Sequence, residues 1–236
     1  MPTLLLVRHG RSTANSSGVL AGWSPGVDLD DEGRAQAAAL AARLAGVPLA
    51  RVVSSPLDRC RQTVQPLLAA RPELGTADLD ERVGECRYGD WTGRPLAELA
   101  KEPLWRTVQD HPSAAVFPGP EGESLAAMSR RAVEAVREWD ARVAEEHGPD
   151  AVWLACTHGD IIKAVVADAL GLHLDLFQRI SADPASVTAV RYTPLRPFLL
   201  RLGDTGDLSS LVPRTPAPGG DAAERSDAVV GGATGA

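Results

Sequence analysis

Leu4-Leu5-Leu6-Val7 is apolar without alternation, and the run stops abruptly at Arg8-His9-Gly10. A strand that shows one face to water alternates apolar and polar residues, whereas an unbroken apolar run has to be buried on both faces. Such a strand belongs inside a largely parallel sheet with helices packed on each side. The pattern recurs: Val52-Val53 ends in Ser54-Ser55-Pro56, and residues 151–156 end in Thr157-His158-Gly159. Each run is followed by a helical stretch, to about Ala70 in the first case and to Ala169 in the second.

Other elements follow from capping and periodicity. Asp30 or Asp31 caps a helix over 33–45 that Gly46 stops, with Ala37, Leu40, Ala41 and Leu44 on one side. Ser124 caps a long helix whose Leu125, Met128, Ala132, Val136, Trp139 and Val143 follow a 3.6-residue period. Two late strands are expected at 187–192 and 198–202. The fold class is therefore α/β, a three-layer sandwich with a mostly parallel central sheet flanked by helices. One domain is expected over 1–202, with residues 86–123, rich in Gly, Pro, Trp and charge, as a cap insertion lying over the sheet. From Gly203 to Ala236 there is no aromatic residue, so burial would not offset ordering entropy, and a flexible tail is expected.

Composition removes several functions. The longest apolar runs fall far short of the roughly 20 residues that span a bilayer, so no membrane partner is expected. A net charge of -7 among 236 residues argues against a nucleic-acid partner, which needs clustered Lys and Arg. Cys60, Cys86 and Cys156 form an odd set with no CxxC spacing, which supports neither a disulfide framework nor a zinc site. With no basic leader ahead of Thr3, a cytoplasmic location is expected.

Three strand-to-helix junctions carry residues out of place in a core: Arg8 and His9, then Arg59 just inside its helix, then His158. In a parallel sheet the carboxyl ends of the strands and the adjoining helix N-termini form one crevice, and helix N-termini favour anions. These junctions are expected to converge on one anion site, met by a few focused cations.

Leu6-Val7-Arg8-His9-Gly10 with Asn15 resembles the signature of the histidine phosphatase superfamily, the phosphoglycerate mutase-like clan. Leu29-Asp30-Asp31-Glu32-Gly33 through Gln36-Ala37 resembles its next segment, and Ser54-Ser55-Pro56-Leu57 with Arg59, Gln62 and Thr63 the one after. Glu85 followed by Gly89, Trp91 and Gly93, then Gly122-Glu123-Ser124 with Arg131, then His158-Gly159, complete the order over residues 3 to about 202. The resemblance implies that His9 accepts the phosphoryl group, that Arg8, Arg59 and His158 stabilise its oxygens without a metal or other cofactor, and that Glu85 is the general acid. Asn15, Gly159, Trp23 and Tyr88 join Arg8, Arg59 and His158 as substrate contacts, with Thr157 beside them. Alternatives at single residues stay open: a turn or cap role for Asn15, a solvated helix position for Arg59, and Glu81 as rival to Glu85. Arg11, where many members carry Glu, Gln or Thr, makes the rim more positive or is a solvated cation.

The expected function is hydrolysis of a small phosphorylated metabolite by a monomer or homodimer. A phosphomutase is the alternative, favoured by Tyr88 but not by Leu96, which stands where mutases carry a lysine. The cap has no arginine pair, and Trp91 before Gly93 resembles the phosphatases. A binding module with a degraded site is the third reading.

Overall fold

The computed structural model describes residues 2–206, and the tail expected beyond them lies outside the described residues. Six strands among these residues form one sheet: β1 (Thr3–Arg8), β2 (Leu49–Ser54), β3 (Asp78–Leu79), β4 (Val152–Thr157), β5 (Val187–Tyr192) and β6 (Pro197–Asp204). Their order is β3-β2-β4-β1-β5-β6. The first four run parallel, β5 returns antiparallel beside β1, and β6 pairs antiparallel with β5. Among the described residues seven α-helices accompany them: α1 (Thr13–Ser17), α2 (Asp31–Arg43), α3 (Asp58–Ala70), α4 (Leu96–Leu99), α5 (Pro103–Asp110), α6 (Leu125–His147) and α7 (Gly159–Leu170).

The apolar run of β1 divides its side chains between two cores. Leu5 and Val7 pack with Val52, Leu154 and Cys156 beneath α2 and α3. Leu4 and Leu6 pack with Val53, Trp153 and Ala155 beneath α6 and α7. The period-2 alternation of a strand puts neighbours on opposite faces, so a run buried throughout needs both helical layers. Every residue from Leu4 to Arg8 is buried, and so is every one from Trp153 to Thr157. In α6, Leu125, Met128, Ala132, Val136, Trp139 and Val143 do face the core, and Ser124 caps the helix by accepting from Ala127 N.

Some expectations shift. The helix expected to stop at Gly46 ends at Arg43 with Leu44 as its C-cap, after which a turn leads to β2, and Asp30 rather than Asp31 is its N-cap. The short α1 and the two-residue β3 were not expected. The first is a single turn closed by a capping box between Ser12 and Asn15, too short to show a period. Residues 86–123 contain α4 and α5, the latter opened by Pro103, whose missing N–H costs nothing at a first helical turn. The last strand continues to Asp204, past the boundary expected at 202. No helix among the described residues is long and apolar enough to cross a membrane.

Candidate active site

The parallel strands end together, so the residues that follow β1, β2 and β4 meet at one edge. His9 leaves β1 with its backbone N–H bonded to Thr157 O at 3.0 Å, and Ser55 N bonds to Cys156 O at 2.9 Å. The loop after His9 is pinned by side chains of the two helices beneath it. Gly10 N donates to Thr63 Oγ1 at 2.9 Å, and Arg11 N donates to Gln36 Oε1 at 2.8 Å. Gln62 Oε1 accepts from Leu29 N at 2.8 Å. Gly33 lets α2 press against this loop, since a Cβ there would lie 1.9 Å from Arg11 O. The spacing of these motif residues thus fixes the position of the imidazole.

The His9 ring is 3% exposed and held by one bond, from Nδ1 to Gly10 O at 2.7 Å. A carbonyl only accepts, so Nδ1 carries the proton and Nε2 keeps its lone pair. Burial, then Arg59 and Arg8, hold the imidazole well below its usual titration range, and it is neutral. His158 stands across from it with ring centroids 5.2 Å apart. Its Nδ1 accepts from Arg59 Nη2 at 3.2 Å, and its Nε2 lies 2.8 Å from Ser55 Oγ. A guanidinium only donates, so Nδ1 carries the lone pair and Nε2 the proton, which it donates to Ser55 Oγ.

Two guanidinium groups flank the histidines. Arg8, fully buried, donates through Nη1 to Ala182 O at 2.8 Å, and Arg59 donates through Nη2 to Gly22 O at 2.9 Å. Glu85 Oε2 lies 3.9 Å from His158 Nδ1. That contact is not an ion pair: burial, then Arg59, keeps His158 neutral, while burial, then Asp160, pushes the Glu85 carboxyl up to about 7. The result is a buried cluster of two cations, two neutral imidazoles and one carboxyl that holds its proton near neutrality.

A clamp holds Glu85. Arg131 donates to Arg82 O at 2.7 Å, to Gly84 O at 2.9 Å and to Glu85 O at 2.9 Å, while gripping Glu123 with two further bonds. Trp23 Nε1 adds a bond to Glu85 O at 2.6 Å, and Cys86 N donates to Glu85 Oε1 at 2.9 Å. Glu81, the rival acid, is exposed and pairs with Arg87 at 3.5 Å, away from the cluster.

The structure therefore gathers Arg8, His9, Arg59, Glu85 and His158, with Gly159 as the first residue of α7. Other expected contacts sit differently. Tyr88 is fully buried and its hydroxyl donates to Asp160 Oδ2 at 2.8 Å, which engages that hydroxyl within the fold. Trp23 uses its indole N–H on the Glu85 loop, and its ring carries the Arg87 guanidinium 4.0 Å from the centroid. Asn15 Oδ1 caps α1, accepting from Ser12 N at 3.0 Å and Ser12 Oγ at 2.9 Å, which leaves its amide nitrogen as the donor. Thr157 Oγ1 donates to Val83 O at 2.5 Å. Arg11 pairs with Asp30 at 2.7 Å, so it neither enriches the rim as a lone cation nor lies free in solvent.

Asp160, Lys163 and Ser55 were missed. Asp160 and Lys163 are buried 3.6 Å apart in a helix whose other residues up to Ala167 are apolar and buried. The signal was there: two charges at helical spacing inside an apolar run straight after His158-Gly159. Among the described residues no group of three His, Cys, Asp or Glu side chains is placed to hold a metal ion. A cavity of about 300 Å³ between α6 and the β5–β6 hairpin, lined by Tyr192, Leu195 and Arg196 among others, shares no residue with this cluster.

The model of the histidine phosphatase superfamily (branch 1) matches residues 4–205. A probable phosphatase of Schizosaccharomyces pombe is 31% identical over 162 residues, covering 69% of this chain and 70% of its own. A 2,3-bisphosphoglycerate-dependent phosphoglycerate mutase of Caulobacter vibrioides is 31% identical over 188 residues, covering 70% and 79%. Among solved structures, a mycobacterial glucosyl-3-phosphoglycerate phosphatase complexed with VO3 superposes with a TM-score of 0.73 at 26% identity, covering 84% of this chain and 97% of that one.

Proposed function

This chain belongs to the histidine phosphatase superfamily (branch 1), and on that premise we propose that it hydrolyses a small phosphate monoester through a phosphohistidine on His9. The observation that carries this is the pairing of a neutral His9, its Nε2 lone pair free of the Gly10 bond, with two buried guanidinium groups. Keeping two cations out of water is costly, and a phosphoryl dianion is a ligand whose charge would offset that cost. Arg suits the role because its planar fork bonds two phosphate oxygens at once.

In the first half-reaction His9 Nε2 attacks phosphorus and the P–O ester bond breaks, with Arg8, Arg59 and His158 bonding the equatorial oxygens. The leaving alkoxide takes the proton that Glu85 holds. In the second, the Glu85 carboxylate removes a proton from water as its oxygen attacks phosphorus. The N–P bond breaks, orthophosphate leaves, and Glu85 is again an acid. A carboxyl that titrates near 7 fits both duties, since one group must give a proton and then take one back.

Residues 86–123 are proposed as the cap over this site, and Trp23, Asn15 and Gly159 as pocket residues. The substrate class proposed is a phosphorylated hydroxy acid or sugar phosphate, in keeping with the relatives above. Three free cysteines support a reducing, cytoplasmic setting. The mutase alternative leaned on Tyr88, whose hydroxyl is engaged by Asp160. A screen of phosphorylated metabolites that includes 3-phosphoglycerate tests the proposal. Released orthophosphate is the expected product, and formation of 2-phosphoglycerate without orthophosphate would replace hydrolysis by transfer.

A further inference from the structure

We propose that Ala185 is a positioning residue for the nucleophile: held in a left-handed conformation at φ 56°, it aims its backbone N–H at Arg8 O, 3.1 Å away, and at His9 O, 3.3 Å away. This rests on His9 being the nucleophile. Residues 180–186, which lead into β5, wrap the end of β1. Ala182 O accepts from Arg8 Nη1 at 2.8 Å, and Ser186 O accepts from Arg8 N at 3.2 Å. The Ala185 N–H extends this grip by one residue, to His9 itself. β1 lies between β4 and β5 in the sheet, and His9 N already donates to Thr157 O at the end of β4 at 3.0 Å. With Ala185 on the other edge, the backbone that carries the imidazole is held from both sides.

The turn itself does not require that conformation. Ser186 N donates to Asp183 O at 3.0 Å, which closes a four-residue turn over Asp183-Pro184-Ala185-Ser186. Proline suits the second position of either common form, type I or type II. Type I would give Ala185 an ordinary negative φ, whereas type II needs a positive φ and usually places Gly or Asn there. The two forms differ by a flip of the peptide between the second and third residues, and here that peptide carries the Ala185 N–H. In the type I form the N–H would point away from β1, and Arg8 O and His9 O would lose this donor. A left-handed conformation is unfavourable for any residue with a Cβ, and among the described residues Ala185 is the one non-glycine residue that adopts it. Strain of this kind persists where surrounding contacts over-determine it, and it gathers at functional sites. What the strained form secures here is a pair of bonds to the two residues at the centre of the phosphoryl chemistry.

The test compares Ala185→Gly and Ala185→Val with the unsubstituted enzyme in steady-state hydrolysis of p-nitrophenyl phosphate, well below the melting temperature of each. Glycine takes a positive φ freely, so the conservative variant keeps the N–H in place and its kcat is expected within about twofold of the unsubstituted value. A β-branched residue is a genuine outlier at positive φ, so Ala185→Val flips the turn, and kcat falls by about tenfold or more with KM little changed. A role confined to stability would lower the melting temperature and leave kcat of the folded enzyme as it was, and that result overturns the proposal. So does an Ala185→Gly variant impaired as badly as Ala185→Val. His9→Ala separates this proposal from the reading beneath it. If His9→Ala still turns over, the nucleophile has been misassigned; if it is inactive while Ala185→Val keeps full kcat, only the role of Ala185 is overturned. Should Ala185→Val not fold, L-lactate is introduced at position 185 by nonsense suppression, which replaces the N–H by an ester oxygen without adding bulk. A loss of about tenfold in kcat is again expected, and an undiminished kcat overturns the proposal.

Discussion

His9 and Glu85 are both buried, yet burial drives their protons in opposite directions, because it always disfavours the charged form. The imidazole loses its proton and becomes a nucleophile; the carboxyl keeps its proton and becomes an acid. The stability consequence has a definite sign. Glu85 titrates near 7 when folded against 4.5 in the unfolded chain, so the folded state binds the extra proton between those values. Its share of stability is intact below about pH 4.5 and is lost as pH rises through 7. Glu85→Gln is therefore expected to raise the melting temperature at pH 8, by up to about 3 kcal/mol in stability, and to change little at pH 4. Calorimetry at the two pH values checks this; an equal shift at both would mean that the carboxyl is not held protonated by the fold. Asp160 was invisible at this scale for a physical reason. One aspartate after a His-Gly pair looks like a helix-start charge favoured by the dipole, and only the packing of α7 on both sides shows that it is buried.

At the scale of elements, the sequence blocks around His9, Gly33 and Arg59 prove to be parts of one support. The side chains of Gln36 and Thr63 bond the backbone of the nucleophile's loop, which is why their spacing within α2 and α3 matters. Gly33 decides between two opposing effects. Alanine in a helix usually stabilises by about 1 kcal/mol over glycine. Here its Cβ would lie 1.9 Å from Arg11 O, a backbone atom that cannot step aside. Gly33→Ala is expected to destabilise the fold by about 2 kcal/mol and to lower turnover more than substrate affinity, since the displaced loop carries His9. An unchanged melting temperature would contradict the close approach. The strands and long helices were legible because their apolar spacing is strong. The turn of α1, the two residues of β3 and the short α4 were not, since each is shorter than the period that would reveal it. The Arg131 clamp was legible only as a motif position, because its five bonds reach across more than forty residues as well as to nearby Glu123.

For the whole molecule, the parallel order β3-β2-β4-β1 is what brings three junctions to one edge, and no single element could assemble the site. The layered fold was readable from two-sided apolar runs; the antiparallel return of β5 was not, because strand direction leaves no mark on composition. The cationic centre sits within a chain of net charge -7, so anion affinity is a local property of the crevice. Charge neutralisation by Arg8 and Arg59 gives full activity on p-nitrophenyl phosphate in EDTA as the expected outcome. Inactivation by the chelator, restored by a divalent ion, would mean that the two guanidinium groups do not suffice. The most direct measurement is rapid acid-free quenching of the enzyme during turnover, followed by mass spectrometry of the peptide that carries His9. One phosphoryl group on that imidazole, lost on acid treatment and absent in His9→Ala, is the expected result. Steady turnover with no phosphoryl group on His9 at any quench time, or undiminished turnover by His9→Ala, would contradict the account.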